Sequence, residues 1–173
     1  EPLPRRPGSY LRVRPEDKAL LTGFDDLDLL HLDDAFLPVR PAPGTNTFLR
    51  RIPPAMFGPP EKCYYGEATE EPGLVASAHG KGRTVWLPWR PGAQYGKFAH
   101  PGLARVVEAA LEVLLTTPRR LVTDAPPNVE IAAHRSFDGR RSWLGLVNHP
   151  GQVGPAPHAP LPVRDLSLAL ALD

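Results

Sequence analysis

The region from Leu74 to Leu115 constrains the possible fold most strongly, because strand, turn and helix signals follow one another there. Residues 74–79 have the composition of a strand, and Arg83–Trp89 contains a short apolar run suited to a buried strand. Gly80-Lys81-Gly82 separates these two segments, and glycine accepts the positive φ that a tight turn needs. The pattern predicts a β-hairpin, followed by a loop and a helix.

The helix is predicted to begin at Pro101, since proline suits a first helical position where its missing N–H would be unpaired anyway. It is predicted to end before Pro118, because the residue preceding a proline disfavours helical geometry. Charged side chains occupy one face, namely Arg105, Glu108 and Glu112. Apolar side chains recur at helical spacing on the other face, which we predict to be core: Leu103, Val106, Val107, Ala110, Leu111 and Leu114.

Before the hairpin, short strand patterns alternate with proline-rich segments. Tyr10–Arg14, Phe36–Arg40 and Thr45–Ile52 are predicted to be strands. Pro15–Leu21 carries acidic residues near its start and is predicted to form one or two helical turns. Pro53–Glu61 is too rich in proline for regular structure and is predicted to be an extended loop.

After the helix the chain changes character. Phe137-Asp138-Gly139-Arg140 contains the Asp-Gly pair of a tight hairpin, and the surrounding segments show strand patterns without a helix among them. The predicted strands are Leu121–Thr123, Val129–Arg135, Trp143–His149 and Val163–Leu172. We therefore predict an α/β region over residues 1–117 and an antiparallel β region over residues 118–173.

Composition excludes several classes of protein. The net charge of +1 and the lack of a basic stripe give no electrostatic support for nucleic-acid binding. The single cysteine, Cys63, excludes an intramolecular disulfide and a cysteine zinc site. Apolar runs far shorter than the roughly 20 residues of a membrane span predict no membrane segment. No signal peptide is recognised, which favours the cytoplasm but leaves the compartment open.

No residue pattern predicts a catalytic or metal site. Cys63 lacks the close-set glycines of a nucleophile elbow and is interpreted as an inert side chain. Glu61, Glu67, Glu108 and Glu130 cannot be paired as glycosidase carboxylates from the sequence. The acidic cluster lacks calcium-loop spacing and is interpreted as solvated turn carboxylates: Asp25, Asp26, Asp28, Asp33 and Asp34. The histidines have no metal-ligand spacing. We expect no cofactor and no metal.

The segment from Trp89 to His100 is the candidate recognition site, and it is predicted to be a loop between a strand and a helix start. Open α/β sheets tend to place ligands at that position. Aromatic side chains there can stack on a sugar or a partner, and neighbouring polar side chains can form hydrogen bonds: Trp89, Arg90, Gln94, Tyr95, Phe98 and His100. The alternative is that the aromatic side chains only pack against the edge of the sheet.

The order of several short motifs resembles one family. These motifs are P-P-E at 59–61, P-G-L-V at 72–75, G-K-G-R-T-V-W-L-P at 80–88, the Tyr95…His100-Pro101 approach to the helix, L-V-N-H-P-G-Q at 146–152 and V-R-D-L at 163–166. Together they resemble the region that follows the catalytic barrel in certain glycoside hydrolases, akin to the β-galactosidase trimerisation domain. The resemblance covers roughly residues 24–172 and implies a partial flavodoxin-like, glutamine-amidotransferase-like unit with one main helix. A domain of antiparallel β strands, of β-sandwich type, would follow.

The resemblance implies an accessory role in carbohydrate metabolism. The catalytic carboxylates of that family belong to a preceding (β/α) barrel of about 250 residues, so none is assigned to a position in this chain. The implied partner is a catalytic barrel of the same or an associated chain, within a homo-oligomer. The alternative is a stand-alone carbohydrate- or protein-binding module; an independent hydrolase or amidotransferase is least favoured. The sequence does not predict the sugar or its linkage.

Overall fold

The computed structural model describes residues 2–3, 8–54, 67–149 and 162–171. The chain divides into two compact units, Glu1–Thr116 and Thr117–Asp173. The predictions for Cys63, His158 and most of the Pro53–Glu61 segment lie outside the described residues.

The first unit is built on a five-stranded sheet with the strand order β2-β1-β3-β4-β5, in which neighbouring strands pair in antiparallel fashion. The strands are β1 Ser9–Arg12, β2 Leu29–Leu32, β3 Asn46–Ile52, β4 Pro72–His79 and β5 Gly82–Trp86. The helices are α1 Pro15–Leu20, α2 Pro91–Phe98 and α3 Pro101–Leu114. The unit thus mixes α and β structure and is mainly antiparallel sheet. No helix in the described ranges is long and apolar enough to cross a membrane.

The predicted hairpin is confirmed. β4 and β5 pair from Val75 opposite Trp86 to His79 opposite Gly82, and Gly80 has a φ of +58° in the connecting turn. α3 begins at Pro101 as predicted, and His100 is its N-cap residue. These elements were predictable because a glycine and a proline mark their ends locally.

The predicted core face of α3 is only partly correct. Leu103 and Val106 are buried, but Leu111 is 50% exposed and Leu114 is 39% exposed. Ala110 is also buried as predicted, and the buried stripe further includes the small residues Gly102 and Ala109, which were not predicted. A Cβ on Gly102 would lie 3.0 Å from Leu30 Cδ2, so the start of α3 approaches β2 closely. Because small residues let the start of α3 approach β2 closely, the larger side chains Leu111 and Leu114 are not the ones that α3 buries.

One further prediction for the first unit is wrong, and one strand was not predicted. Phe36–Arg40 forms no strand, and only an isolated bridge joins Phe36 to Leu3. Pro38 lies inside this segment and Pro41 follows it directly, and a proline cannot donate a ladder hydrogen bond. Leu29–Leu32, which lies inside the acidic stretch, forms β2 by pairing with β1.

The prediction of an irregular loop from Trp89 to His100 is also wrong, because residues 91–98 form α2. Its first intrahelical bond runs from the Gln94 N–H to the Arg90 carbonyl at 3.1 Å, and it ends at Ala99 with a left-handed φ of 50°. Gly92 and Gly96 obscured this helix, since each glycine disfavours a helix interior by about 1 kcal/mol. Tertiary contacts, described below, outweigh that weak propensity.

Gly73 in β4 marks the tightest backbone approach in the sheet. A Cβ there would lie 2.9 Å and 3.0 Å from the two Leu11 methyl carbons and 3.1 Å from Leu49 Cβ. Leu49 itself has a φ of 58° and is fully buried, so it has little room to move.

Gly73→Ala is therefore expected to lower the free energy of unfolding by about 1–3 kcal/mol, the usual cost of overpacking a core. Urea denaturation followed by circular dichroism measures this change. Gly96→Ala is the matched control, because a Cβ on Gly96 meets nothing within 4 Å. That variant should gain about 0.5–1 kcal/mol from better helix propensity. Equal effects of the two substitutions would contradict the close approach at Gly73.

In the described part of the second unit, β6 pairs with β9 and β7 pairs with β8, both in antiparallel fashion. Their bounds are β6 Leu121–Thr123, β7 Val129–Arg135, β8 Ser142–Asn148 and β9 Leu168–Leu170. The predicted Asp-Gly hairpin is confirmed, with a φ of 70° at Gly139 in the β7–β8 turn. The predicted strand Val163–Leu172 is shorter in the structure. Among the described residues of this segment, only Leu168–Leu170 pair with β6, and Asp165 has a left-handed φ of 55°.

Candidate functional site

The candidate recognition residues lie on and around α2, where they have different surroundings. Trp89 is buried, at 4% exposure, and its indole N–H donates to the Gly73 carbonyl at 2.9 Å. It belongs to the hydrophobic core, and Tyr95 is half-buried against the same core. Trp89 therefore agrees with the alternative that the aromatic side chains pack against the sheet, and Tyr95 agrees with it only in part, because it is half-buried.

Arg90 forms a two-pronged ion pair with Asp34. Its Nε lies 2.9 Å from Oδ2 and its Nη2 lies 2.6 Å from Oδ1, while its backbone N–H donates to Oδ2 at 3.2 Å. The Asp34 side chain is 8% exposed, whereas that of Arg90 is 73% exposed. The hydrogen bond from Arg90 holds the pKa of Asp34 below its usual value, against the opposing effect of burial. The pair fixes the start of α2 to the segment after β2.

Asp33 joins the middle and end of α2 to the same segment. Its backbone N–H donates to Gln94 Oε1 at 2.7 Å, and its carboxylate accepts from Lys97 Nζ at 2.9 Å. Gln94 is 3% exposed, and its Nε2 has no hydrogen-bond partner among the described residues. The interpretation of Asp33 and Asp34 as solvated turn carboxylates is therefore wrong, because both are buried and bonded to α2.

His100 is exposed and caps α3. Its Nδ1 accepts from the Gly102 N–H at 3.1 Å, which satisfies one of the unpaired donors at the helix start. An Nδ1 that accepts a hydrogen bond carries no proton. The imidazole therefore serves the helix cap rather than the surface beside Arg90.

The sequence pointed to Phe98, but the aromatic group that this residue forms with His31 and Tyr10 beside α2 was not predicted. The rings of Tyr10 and His31 lie 5.8 Å apart between centroids, and those of His31 and Phe98 lie 5.7 Å apart. Lys97 Nζ is 4.5 Å from the centroid of Phe98. We call Tyr10, His31, Lys97 and Phe98 the α2 patch. His31 is exposed and Phe98 is 41% exposed. Only the pairing of Tyr10 with His31 across β1 and β2 could have revealed the group.

A small cavity of about 260 Å³ lies near the other end of this surface, lined by Leu3, Ser9, Leu32, Asp34, Phe36, Arg51, Pro53 and Pro54. Its polar groups already have partners within the chain. Ser9 Oγ donates to the Ile52 carbonyl at 3.0 Å, Asp34 binds Arg90, and Arg51 binds Glu71. The guanidinium of Arg51 also lies 5.4 Å from the centroid of Phe36.

The charged groups on this surface form contacts within the chain, namely the pairs Arg90–Asp34, Lys97–Asp33 and Arg51–Glu71, and these pairs stabilise the fold. Within the described ranges, no three His, Cys, Asp or Glu side chains cluster so that they could hold a metal ion. Beside these contacts, His31 and Phe98 of the α2 patch are exposed.

Comparison of the chain with protein-family models, with curated proteins and with solved structures gave no match.

Proposed function

We propose that this chain is a non-catalytic accessory region of a glycoside hydrolase, which supports a catalytic (β/α) barrel and its oligomer. The order of sequence motifs suggests the class of enzyme. The observation that carries the accessory role is the engagement of the charged groups around α2 in contacts within the chain. Arg90 and Lys97 neutralise the two buried carboxylates, and Gln94 and His100 satisfy backbone donors.

The α2 patch fits a protein partner better than a sugar. Aromatic side chains with a polar rim are typical of the centres of protein interfaces. Phe98 offers an exposed ring, but Lys97 lies over it, which leaves less of the ring for stacking on a sugar. The stand-alone carbohydrate-binding module is therefore the second candidate, supported by the remaining exposure of Phe98 and His31.

The oligomeric part of the proposal is supported by the apolar side chains that α3 exposes. Leu111 is 50% exposed, and Leu114 and Leu115 are each 39% exposed. The relationship to a flavodoxin-like, amidotransferase-like domain depends on the order of motifs. A doubly wound sheet needs parallel strand pairs, and the pairings among the described strands are antiparallel.

Phe98→Asp is expected to weaken binding of the chain to its barrel by at least about tenfold, because a central aromatic anchor commonly dominates an interface. The measurement is a titration against the purified barrel of a glycoside hydrolase encoded in the same or a neighbouring reading frame. Phe137→Asp is the control, since Phe137 is a fully exposed turn residue of the second unit. Both variants should keep the melting temperature of the parent chain.

Two outcomes would contradict the proposal. One is equal binding by both variants and the parent chain, which would exclude the α2 patch as the contact. The other is hydrolysis of an aryl glycoside by the purified chain that is lost when one of its own carboxylates is replaced. Binding of an oligosaccharide that is lost in Phe98→Asp, without any binding to a barrel, would favour the second candidate.

A further inference from the structure

A cavity in the second unit has a volume of about 500 Å³. It lies between the β6–β9 pair and the turn end of the β7–β8 hairpin. Its volume is within the range of about 300–1,000 Å³ that is usual for small-molecule sites. It is lined by Arg120, Leu121, Ala133, His134, Arg135, Gly139, Arg140, Ser142, Trp143, Leu170 and Ala171.

The lining is strongly basic. Three arginines contribute to it, Arg120, Arg135 and Arg140, together with His134, and none of the described lining residues is acidic. Guanidinium groups present several N–H donors in a planar fork that matches the oxygens of a carboxylate or phosphate. The cavity is therefore complementary in charge to an anion.

Arg120 lies beside β9, whereas Arg135 and Arg140 both lie at the β7–β8 turn, and hydrogen bonds hold these two segments in place. The Ala171 N–H donates to the Arg120 carbonyl at 2.8 Å, which fixes Arg120 beside β9. Arg135 Nε donates to the Gly139 carbonyl at 3.2 Å, across the β7–β8 turn. The Arg140 N–H donates to Asp138 Oδ1 at 3.0 Å in the same turn. A ligand would thus meet basic groups whose backbones are already ordered, which lowers the entropic cost of binding.

The remaining lining is apolar or small. Leu121 and Leu170 supply apolar surface, and Ala133 and Ser142 are small lining residues. A bare inorganic ion would leave this apolar surface unused. The site suits a small organic molecule that carries a carboxylate or phosphate group.

We propose that this cavity binds an acidic saccharide, that is, a sugar that carries a carboxylate or a phosphate group. The saccharide part rests on the proposed function in carbohydrate metabolism, whereas the anionic part rests on the cavity itself. Binding here is independent of the α2 patch and adds a ligand site to the accessory role.

The test is calorimetric titration of the full 173-residue chain at low ionic strength with four probes: D-glucuronate, D-glucose 6-phosphate, D-glucose and inorganic phosphate. We expect one or both acidic sugars to bind more tightly than D-glucose and inorganic phosphate. Arg140→Gln should weaken that binding on the order of tenfold, as expected for loss of a charge-assisted hydrogen bond. Arg141→Gln is the matched control, because this neighbouring arginine does not line the cavity. Added salt should weaken binding, since the site is open to solvent.

The outcomes separate the parts of the proposal. Binding of glucuronate only, or of the sugar phosphate only, would identify the acidic group. Inorganic phosphate binding as tightly as both sugars would overturn the saccharide part, and no binding by any anion would overturn the whole. Equal losses in Arg140→Gln and Arg141→Gln would place binding outside the cavity.

Arg140→Glu gives a second test if the glutamine variant loses stability, and it should abolish binding. Loss of the barrel contact in Phe98→Asp would still support the proposed function after any of these failures.

Discussion

Asp17→Ala is expected to lower the free energy of unfolding by about 3–5 kcal/mol, the cost of breaking a buried ion pair by removing one partner. The Asp17 side chain is fully buried. Its Oδ1 accepts from Arg14 Nη2 at 2.7 Å, and its Oδ2 accepts from Arg14 Nε at 3.1 Å and from the Arg14 N–H at 3.0 Å. Oδ2 also accepts from the Leu49 N–H at 3.1 Å. One carboxylate therefore joins the start of α1 to the middle of β3.

Loss of this carboxylate would leave several groups without compensation. Leu49 has a left-handed φ of 58°, a conformation that costs on the order of 1–3 kcal/mol for a residue other than glycine and needs support from its surroundings. Arg14 would lose its strongest partner. Burial lowers the pKa of Arg50, and the nearby charge of Arg14 lowers it further. Asp17 acts on Arg50 in the opposite direction. Its removal would therefore leave two guanidinium groups repelling each other.

Chemical denaturation of Asp17→Ala and Glu16→Ala tests this expectation. Glu16 also pairs with Arg14, at 3.0 Å, but its side chain is 60% exposed. Exposed ion pairs contribute little, so Glu16→Ala should change stability by less than about 1 kcal/mol. If the two neighbouring variants had similar midpoints, the Asp17 network would not hold α1 to the sheet.

Elements with a local signal were predictable from the sequence. The β4–β5 hairpin, the start of α3 and the β7–β8 turn each depend on a glycine, a proline or an Asp-Gly pair at the end of the element. Such signals act within a few residues of chain and need no knowledge of the tertiary structure.

The candidate site depends on long-range contacts, and for that reason it was only partly predictable. Gln94 is 61 residues from Asp33 in sequence, and Lys97 is 64 residues from it. No local pattern indicates that these residues meet, or that α2 forms despite its two glycines. That this segment is a recognition site stays a prediction; within it, Arg90 and Gln94 form hydrogen bonds with Asp34 and Asp33. The roles of Trp89 and His100 became visible only through Gly73 and Gly102, the backbone groups that they contact.

α3 offers the sharpest test of how far periodicity alone can be used. Its apolar residues cover a wide arc, and the predicted face was correct for Leu103, Val106 and Ala110 but also included Leu111 and Leu114, which are exposed. Val106 is fully buried, Val107 is half-buried and Leu111 is 50% exposed. Burial, rather than side-chain size, should therefore rank the effects of the same substitution along the helix.

Val106→Asp is expected to unfold the first unit. The free energy cost of burying a carboxylate without a partner is comparable to the whole free energy of unfolding of a marginally stable domain. A loss above about 4 kcal/mol is expected, among the largest effects of single substitutions. Leu111→Asp should cost only about 0.3–1 kcal/mol, since its charge remains solvated and only the negative end of the helix dipole opposes it. Val107→Asp should fall between these values. Circular dichroism during urea titration measures all three, and a larger loss at Leu111 than at Val106 would show that burial does not rank the effects of these substitutions along α3.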